Sequence, residues 1–295
     1  VDYFATPEPL GMKMVEWAGV RHGEDVLEPS AGHGAISRWI SERANRTVVE
    51  PSRVLRSRLA MVMNPARDRI VDSKFEDLGV NNKYDVVVMN PPFGRGGSDA
   101  ISHLAKAAQH LRDGGRIVAL IPVGPTADKR FDAWLNETDE KGRPVRADLH
   151  LHREILLPGV TFNRAGAGVM TRVVVIDRHA DLARALPQKQ SIDLTDARDM
   201  ADLFERIEGL EIDPRRMTKA QEAVQAGDAS AKASKPAASA APKGPKEVNP
   251  EALGTIDRGD AKVIEHTTQK GKVIRGIVRS DLSRAEAEKI DPYTF

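Results

Sequence analysis

Short apolar runs recur along the first 180 residues of the chain and alternate with stretches of helical periodicity. Several runs are continuously apolar and β-branched, as in strands that are covered on both faces. The seven predicted strands are 25–28, 47–50, 69–72, 84–89, 116–121, 154–157 and 171–176. The predicted helices are 8–19, 35–44, 52–63, 99–112, 126–137 and 195–209. This alternation predicts an α/β fold with a doubly wound, seven-stranded, mostly parallel sheet.

The ends of several elements carry local signals of their own. Pro7 and Pro9 favour the start of a helix, and Gly114-Gly115 favours the end of one. A Gly-rich loop joins the last two predicted strands and leaves no room for a crossover helix. We therefore expect these two strands to be antiparallel.

The composition changes after this region. Residues 226–250 are rich in Ala, Lys, Ser, Pro and Gly, and they cannot bury enough apolar surface to offset the entropy of ordering. The predicted organisation is a main domain over 1–212, a flexible linker over 213–250 and a small α+β module over 251–295, with a hairpin formed by 262–264 and 272–278. Because the chain lacks an initial Met and ends without an obvious terminator, we expect a fragment of a longer protein.

Overall composition excludes several classes of protein. The 295 residues carry a net charge of only +1, so any affinity for nucleic acid must come from a local patch. The absence of cysteine excludes a disulfide framework, a thiolate zinc site and a thiol nucleophile. We find no signal peptide and no apolar run approaching the roughly 18 residues of a membrane span, so we expect a cytoplasmic protein without a membrane partner.

A cofactor site is indicated at the ends of the first three predicted strands. Small residues in 26–34 let the backbone bend tightly and approach a ligand. Glu50 ends the second strand, where a carboxylate can accept hydrogen bonds from ribose hydroxyls. Asp72 ends the third, and with Phe75 it suits the amino group and the face of an adenine. A Gly-rich turn alone can simply join a strand to a helix, but the two further acids favour a cofactor that lacks a pyrophosphate.

The segment Asn90-Pro91-Pro92-Phe93 follows the fourth predicted strand, at the sheet edge where α/β proteins bind ligands. Its residue types suit the activation of a planar amine, whose lone pair is delocalised. The Asn90 side-chain oxygen and the Pro91 carbonyl can accept from the two N–H bonds and free that lone pair. Phe93 offers a face for a flipped base. The alternative is a Pro-Pro turn that closes a strand.

These residues resemble the class I S-adenosylmethionine-dependent amino-methyltransferases with a Rossmann-like fold, in particular the DNA adenine-N6 methyltransferases. The resemblance extends over about 1–180, and the order of its motifs is that of the gamma arrangement. Phe4-Ala-Thr-Pro7 is similar to the family's N-terminal motif, which lines the methionine end of the cofactor. The cofactor-binding residues that follow from the sequence and the resemblance are Phe4, Thr6, Pro7, Glu28, Ser30, Ala31, Gly32, Gly34, Glu50, Asp72, Phe75 and Asn90.

The chain departs from the family in two places. The family often has Asp and Phe adjacent in its third motif, whereas Lys74 precedes Phe75 here. Sequence-specific members carry a large recognition domain after the catalytic fold, and its absence implies low sequence specificity. The C-terminal part resembles a module of very large phage and plasmid proteins that fuse a methyltransferase to a helicase. This resemblance implies an anti-restriction role, a helicase or other domains as partners, and the host cytoplasm as the location.

The resulting hypothesis is methyl transfer from S-adenosylmethionine to N6 of a flipped adenine in double-stranded DNA. The sulfonium activates the methyl group, so the reaction needs no metal. Phe162 is the predicted second aromatic of the base pocket, or else a loop aromatic that packs on the core. The predicted DNA contacts are Arg143, Arg146 and Arg164, together with Lys129, Arg130 and Lys141, unless these form a solvated basic surface. Methylation of RNA adenine or of protein glutamine, and a non-catalytic DNA-docking module, remain open at this point.

Overall fold

The computed structural model describes residues 5–64, 66–81, 83–159, 161, 169–180 and 189–216, and the backbone of 261–267 and 273–279. The chain divides into two compact units, Val1–Lys235 and Pro236–Phe295. The strands of the first unit are β1 (Asp25–Pro29), β2 (Asn45–Val49), β3 (Arg69–Val71), β4 (Tyr84–Met89), β5 (Leu111–Pro122), β6 (Leu149–Leu157), β7 (Thr171–Arg178) and β8 (Gln190–Asp193). Its α-helices are α1 (Glu8–Ala18), α2 (Arg53–Leu59), α3 (Ser98–His110), α4 (Pro125–Leu135) and α5 (Met200–Glu208).

The eight strands form one mixed sheet in the order β3-β2-β1-β4-β5-β7-β6-β8. Strands β1 to β5 are parallel to one another, and β7 is antiparallel to both β5 and β6. The α/β fold and the antiparallel pair were both predicted correctly. Strands β1 and β4 lie side by side, but β1 leads to β2 on one side of this pair and β4 leads to β5 on the other. In α/β sheets such a reversal of strand order leaves a crevice at the carboxyl edge, where ligands bind.

Alternate side chains of the central strands pack in opposite directions. Val86 and Val88 of β4 belong to the core shared with α1 and α5, whereas Val87 and Met89 belong to the core shared with α3 and α4. All four side chains are fully buried, which explains why the sequence of β4 is continuously apolar. Each such side chain contributes about 1.5–3 kcal/mol through its removal from water.

The helix predicted at 35–44 is wrong. The chain forms only a 3₁₀ turn at Ser37–Trp39 before it reaches β2. The buried guanidinium of Arg46 lies against this turn, pairs with Asp68, and donates to the carbonyl oxygen of Ile40 at 3.2 Å. Because this carbonyl accepts a hydrogen bond from a side chain, it does not need the backbone N–H of a further helical turn.

The helix end predicted at Gly114-Gly115 is also wrong, because α3 ends at His110 and the two glycines lie inside β5. The pairing of β5 with β4 shifts register between Leu111 and Arg116, as at a β-bulge. Gly114 has a φ of 73° at this irregularity, a conformation that glycine adopts without steric cost. The same residue type therefore marks a bulge here and not a helix end.

Strand β8 was not predicted from the sequence. It pairs in parallel with β6 at the edge of the sheet, and Ile192 is its one apolar residue. An edge strand exposes one side to solvent and needs no apolar run, so its sequence carries little periodic signal.

The segment after α5 packs against the amino edge of the parallel strands, opposite to the edge where β4 ends. Trp17 Nε1 donates to the Leu210 carbonyl at 2.9 Å, and Arg215 donates to the Asp85 carbonyl at 2.7 Å and pairs with Glu24. Arg215 is only 2% exposed. Residues 213–216 are therefore part of the folded domain, so the predicted linker cannot begin at 213, and 217–250 lie outside the described residues.

In the second unit, β9 (Ala261–Thr267) and β10 (Val273–Arg279) pair in antiparallel register, from Thr267 opposite Val273 to Ala261 opposite Arg279. This confirms the predicted hairpin. The rest of the module predicted over 251–295 lies outside the described residues. None of the helices in the described parts of the chain is both long enough and apolar enough to cross a membrane.

Candidate active site

A cavity of about 700 Å³ opens at the carboxyl edge of the sheet, where β1 and β4 meet. Its volume lies within the range of roughly 300–1,000 Å³ that is usual for small-molecule sites. The segments that follow β1, β2, β3 and β4 all contribute to its wall. The predicted site residues in this wall are Thr6, Glu28, Ser30, Ala31, Glu50, Phe75, Asn90, Pro91, Pro92 and Phe93.

The tetrapeptide Asn90-Pro91-Pro92-Phe93 begins directly after β4 and is held at both ends. The Asn90 side-chain amide donates through Nδ2 to Thr6 Oγ1 at 3.0 Å. The Phe93 carbonyl accepts from the backbone N–H groups of Asp99 and Ala100, at 3.2 and 3.3 Å, in the first turn of α3. With Nδ2 facing Thr6, the amide presents Oδ1 as its acceptor on the other side.

A glycine-rich loop connects this tetrapeptide to α3. Gly94 has a φ of 65°, and a Cβ atom at this position would lie only 2.3 Å from Cγ of Asp99. Arg130 of α4 donates to the carbonyls of Arg95, at 2.7 Å, and Gly96. The loop is therefore fixed from two sides, which keeps Phe93 at the cavity wall.

The loop after β1 approaches the cavity in a conformation that few residues adopt. Ser30 is at φ 68° and is the one non-glycine residue at positive φ among the described residues. Gly34 is at φ 91°, and a Cβ atom there would lie 2.6 Å from Cγ2 of Val62. Close packing therefore explains why position 34 is glycine, although Gly34 itself does not line the cavity.

Glu50 connects two of the cavity-forming segments. Its Oε2 accepts from the backbone N–H of Gly32 at 2.9 Å, and its Oε1 accepts from that of Ser52 at 2.7 Å. Each carboxylate oxygen has a second lone-pair direction with which it can accept another hydrogen bond. Glu50 can thus order the loop after β1 and also accept from a ligand hydroxyl.

Glu28 is a buried carboxyl group in the same wall. Burial raises its pKa to about 8, against the opposing effect of a hydrogen bond from Ser37, and the charge of Glu50 raises it further. The carboxyl group is therefore mostly protonated at neutral pH. A cationic group of a ligand placed nearby would favour the ionised form.

Asp72 does not line the cavity, contrary to the prediction that it accepts from an adenine amine. Its carboxylate is 70% exposed and pairs with Arg56 of α2, at 2.5 and 2.7 Å. The same guanidinium donates to the Glu50 and Pro51 carbonyls at 2.9 and 2.6 Å. Arg56 is therefore held by the start of α2 and keeps Asp72 outside the cavity.

Five polar residues of the wall were not predicted, namely Ser52, Lys74, Glu76, Asp99 and His103. His103 Nε2 lies 3.2 Å from Glu76 Oε1, and its Nδ1 lies 3.4 Å from Ser30 Oγ. Its ring also packs edge-on against Phe75, with the centroids 5.3 Å apart. A signal was available for His103 alone, because it lies on the apolar face of α3 between Ala100 and Leu104.

The basic residues predicted to contact DNA fall into two groups. Arg143 pairs with Asp139 at 2.7 Å, and Arg146 pairs with Glu137 at 2.7 Å. Both residues precede β6, whose first residue pairs with the end of β7, so they lie near the edge of the sheet opposite to Asn90. This position separates both residues from the cavity that contains Asn90.

Lys141 belongs to the same segment as Arg143 and Arg146. In contrast, Lys129 and Arg130 lie in α4, the helix that packs against the loop after the tetrapeptide. The predicted site residues Phe4, Phe162 and Arg164 lie outside the part of the chain that the structure describes. Pro7 precedes α1, and neither Pro7 nor Gly32 lines the cavity.

Several known proteins are similar to this chain in sequence or in fold. The Methyltransferase small domain family matches residues 13–137. A Listeria monocytogenes protein described as a class I S-adenosylmethionine-dependent methyltransferase superimposes with a TM-score of 0.50 and 15% identity, over 69% of this chain and 71% of that one. This chain has the class I methyltransferase fold. No curated protein is similar enough in sequence to count as a relative.

Two further structures with the same fold are subunits of restriction-modification systems. The type I methyltransferase subunit from Streptococcus thermophilus matches with a TM-score of 0.52 and 17% identity, over 77% of this chain and 53% of that one. The EcoKI M protein matches with a TM-score of 0.51 and 16% identity, over 72% and 55%. This chain therefore spans about half the length of these two proteins.

The cofactor of this methyltransferase fold is S-adenosylmethionine. The cavity fits such a molecule, because its wall combines a tightly bent loop, a carboxylate at the end of β2 and a buried carboxyl group that a cation would ionise. Within the described residues, no three acidic or histidine side chains meet in a way that could hold a metal ion.

Proposed function

We propose that this methyltransferase acts on the exocyclic N6 amine of an adenine in DNA. The observation that carries the proposal is the position of Asn90-Pro91-Pro92-Phe93 in the wall of the cavity that also contains Glu50 and the loop after β1. A planar amine brought to this tetrapeptide would meet two hydrogen-bond acceptors beside the cofactor.

The first part of the proposal concerns the cofactor. Glu50 would accept from the ribose hydroxyls, the loop through Ser30 and Ala31 would hold the methionine part, and Thr6 would contact the methyl end next to Asn90. When bound, S-adenosylmethionine supplies an electrophilic methyl group on a cationic sulfur. The positive charge also suits the buried Glu28, which ionises more readily beside a cation.

The second part concerns the amine. Asn90 Oδ1 and the Pro91 carbonyl accept from its two N–H bonds, which frees the nitrogen lone pair for attack and stabilises the positive charge that develops there. The bond from Asn90 Nδ2 to Thr6 fixes which end of the amide faces the substrate. Proline at position 91 restricts the backbone and so directs its carbonyl.

The third part concerns the nucleic acid. Phe93, partly buried at the wall, stacks on the flipped adenine, and Phe162 stays a predicted second stacking partner. Arg95 is exposed in the loop directly after the tetrapeptide, and Lys129 is exposed in the neighbouring helix. We expect these two side chains to contact phosphates, in place of Arg143 and Arg146. The restriction-modification subunits that share the fold agree with DNA as the substrate.

We also propose low sequence specificity and, from the resemblance of the C-terminal part, an anti-restriction role within a longer phage or plasmid polypeptide. A helicase partner belongs to the same proposal. These three proposals rest on the sequence and not on the geometry of the cavity.

The test compares methyl transfer by the native protein and two variants to duplex DNA, RNA and protein, using labelled S-adenosylmethionine. Asn90→Ala should lower transfer to DNA adenine by about 10²–10³-fold, as the loss of one transition-state acceptor does. It should bind S-adenosylhomocysteine almost as well as the native protein. Asn136→Ala, at the far end of α4, is the matched control and should keep full activity.

Full activity of Asn90→Ala would exclude the catalytic role of the tetrapeptide. Transfer by the native protein to RNA or to protein glutamine, without transfer to DNA, would exclude the proposed substrate. Tight cofactor binding without transfer to any of the three would indicate a docking module.

A further inference from the structure

The adenine end of the cofactor site has an unexpected set of polar residues. Asp72, which follows β3 directly, pairs with Arg56 and does not line the cavity. Lys74 and Glu76, on either side of the buried Phe75, are in the wall instead. The exocyclic amine of an adenine packed against Phe75 needs an acceptor, and Lys74 offers only donors.

Four carboxyl groups line the cavity within the described residues, and three of them have other tasks. Glu28 is mostly protonated and bonded to Ser37. Both oxygens of Glu50 accept backbone N–H groups beside the proposed ribose site. Asp99 lies in the first turn of α3, next to the loop that follows the tetrapeptide. Glu76 is the remaining acceptor, and it is the residue adjacent to Phe75.

Glu76 is prepared for this task by its neighbours. His103 Nε2 lies 3.2 Å from Oε1 of Glu76, while the His103 ring packs against Phe75. Although partial burial opposes ionisation, the hydrogen bonds from its own backbone N–H and from His103 lower the pKa of Glu76 below the usual value. The Glu76 carboxylate is therefore charged at neutral pH. The His103 imidazole contacts both this carboxylate and the Phe75 ring, and so holds the two side by side.

We propose that Glu76, positioned by His103, accepts the hydrogen bond from the 6-amino group of the cofactor's adenine and so determines the specificity for an adenine-containing cofactor. The inference rests on the proposed placement of the cofactor in this cavity. It departs from the assignment of Asp72 to that contact.

The test measures equilibrium binding by calorimetry and needs no turnover. The probes are S-adenosylhomocysteine and S-inosylhomocysteine, in which an oxygen that only accepts replaces the amine. A charged acceptor in the protein should make the native Kd for the inosyl compound at least about tenfold weaker. Glu76→Gln can donate its amide to that oxygen, so the ratio of the two Kd values should fall to about threefold or less.

Asp72→Asn is the matched control, because it makes the same chemical change three residues before Phe75 and should keep the native ratio. The Glu76 side chain is 59% exposed, so the substitution should leave the melting temperature nearly unchanged. A native ratio in Glu76→Gln, or loss of the ratio in Asp72→Asn, would overturn the inference. If the native protein binds S-adenosylhomocysteine and S-inosylhomocysteine equally tightly, only the inference about Glu76 is overturned. If it does not bind S-adenosylhomocysteine, the proposed function is overturned as well.

Discussion

Replacement of Asp177 by Asn tests a buried charge network that joins the sheet to the C-terminal segment of the domain. Arg116 of β5 and Asp177 of β7 are directly opposed, with Nε–Oδ1 and Nη2–Oδ2 distances of 2.6 and 2.8 Å. The same guanidinium donates to the Trp17 and Asp213 carbonyls at 2.9 and 3.1 Å. Because Arg116 is 1% exposed, no solvent is available to replace the lost carboxylate charge.

Two independent arguments give the expected loss of stability in Asp177→Asn. The carboxyl group of Asp177 is buried, which opposes ionisation, but hydrogen bonds from Arg116 and His152 outweigh this effect and lower its pKa from 3.8 to about 2. This difference corresponds to about 2 kcal/mol of stability at neutral pH. Removal of one partner of a buried ion pair typically costs about 3–5 kcal/mol, because the other charge stays buried. We therefore expect Asp177→Asn to lose between about 2 and 5 kcal/mol.

The pH dependence follows from the sign of the shift. Since the pKa is lower in the folded state, the contribution is complete above about pH 4 and declines as the pH falls toward 2. At pH 3 about half of it should remain. The assay is urea unfolding of both proteins at pH 7 and pH 3, followed by circular dichroism.

Asp148→Asn is the control for this prediction. Asp148 pairs with Arg178 at 2.9 Å but is 39% exposed, so its loss should cost less than about 1 kcal/mol. An equally small cost for Asp177→Asn at pH 7 would refute the reasoning, as would a stability difference from the native protein that does not shrink at pH 3.

Arg215→Ala should destabilise the domain by about 3 kcal/mol, because it removes the buried guanidinium that pairs with Glu24 and donates to the Asp85 carbonyl, whereas Arg216→Ala at the exposed neighbour should cost less than about 1 kcal/mol. Equal effects in urea unfolding would place residues 213–216 in the linker after all. Arg95→Ala should weaken binding to duplex DNA and reduce the slope of log Kd against log salt by about one, while Arg143→Ala should leave both unchanged. The reverse result would place the DNA at the opposite edge of the sheet.

Two of the cavity-forming segments, those after β1 and β4, were recognised from the sequence because their chemistry is local. The tetrapeptide Asn90-Pro91-Pro92-Phe93 holds its amide, its carbonyl and its aromatic ring within four residues, directly after an apolar strand. The loop over 26–34 needs small residues wherever it lies, and Gly34 is tightly packed in the structure.

The structure departs from the expected site where an assignment depends on the direction of a side chain. Asp72 ends a strand at the correct edge, but Arg56, sixteen residues earlier in the chain, turns it away from the cavity. Arg143 and Arg146 resemble any basic surface segment until the register of β6 places them at the opposite edge. Contacts between distant residues decide both cases, and a local pattern contains no record of them.

The sequence by itself determined the α/β architecture, the loop after β1 and the amine-directed tetrapeptide, because each depends on residue type and short-range spacing. Only the tertiary structure decided which carboxylate faces the cavity beside Phe75 and where the domain ends. Glu76 is adjacent to His103 only because α3 packs against the segment after β3. Arg215 is buried only because the chain returns across the sheet to Glu24. These positions depend on packing between elements far apart in sequence, and the alternation of apolar and polar residues does not specify that packing.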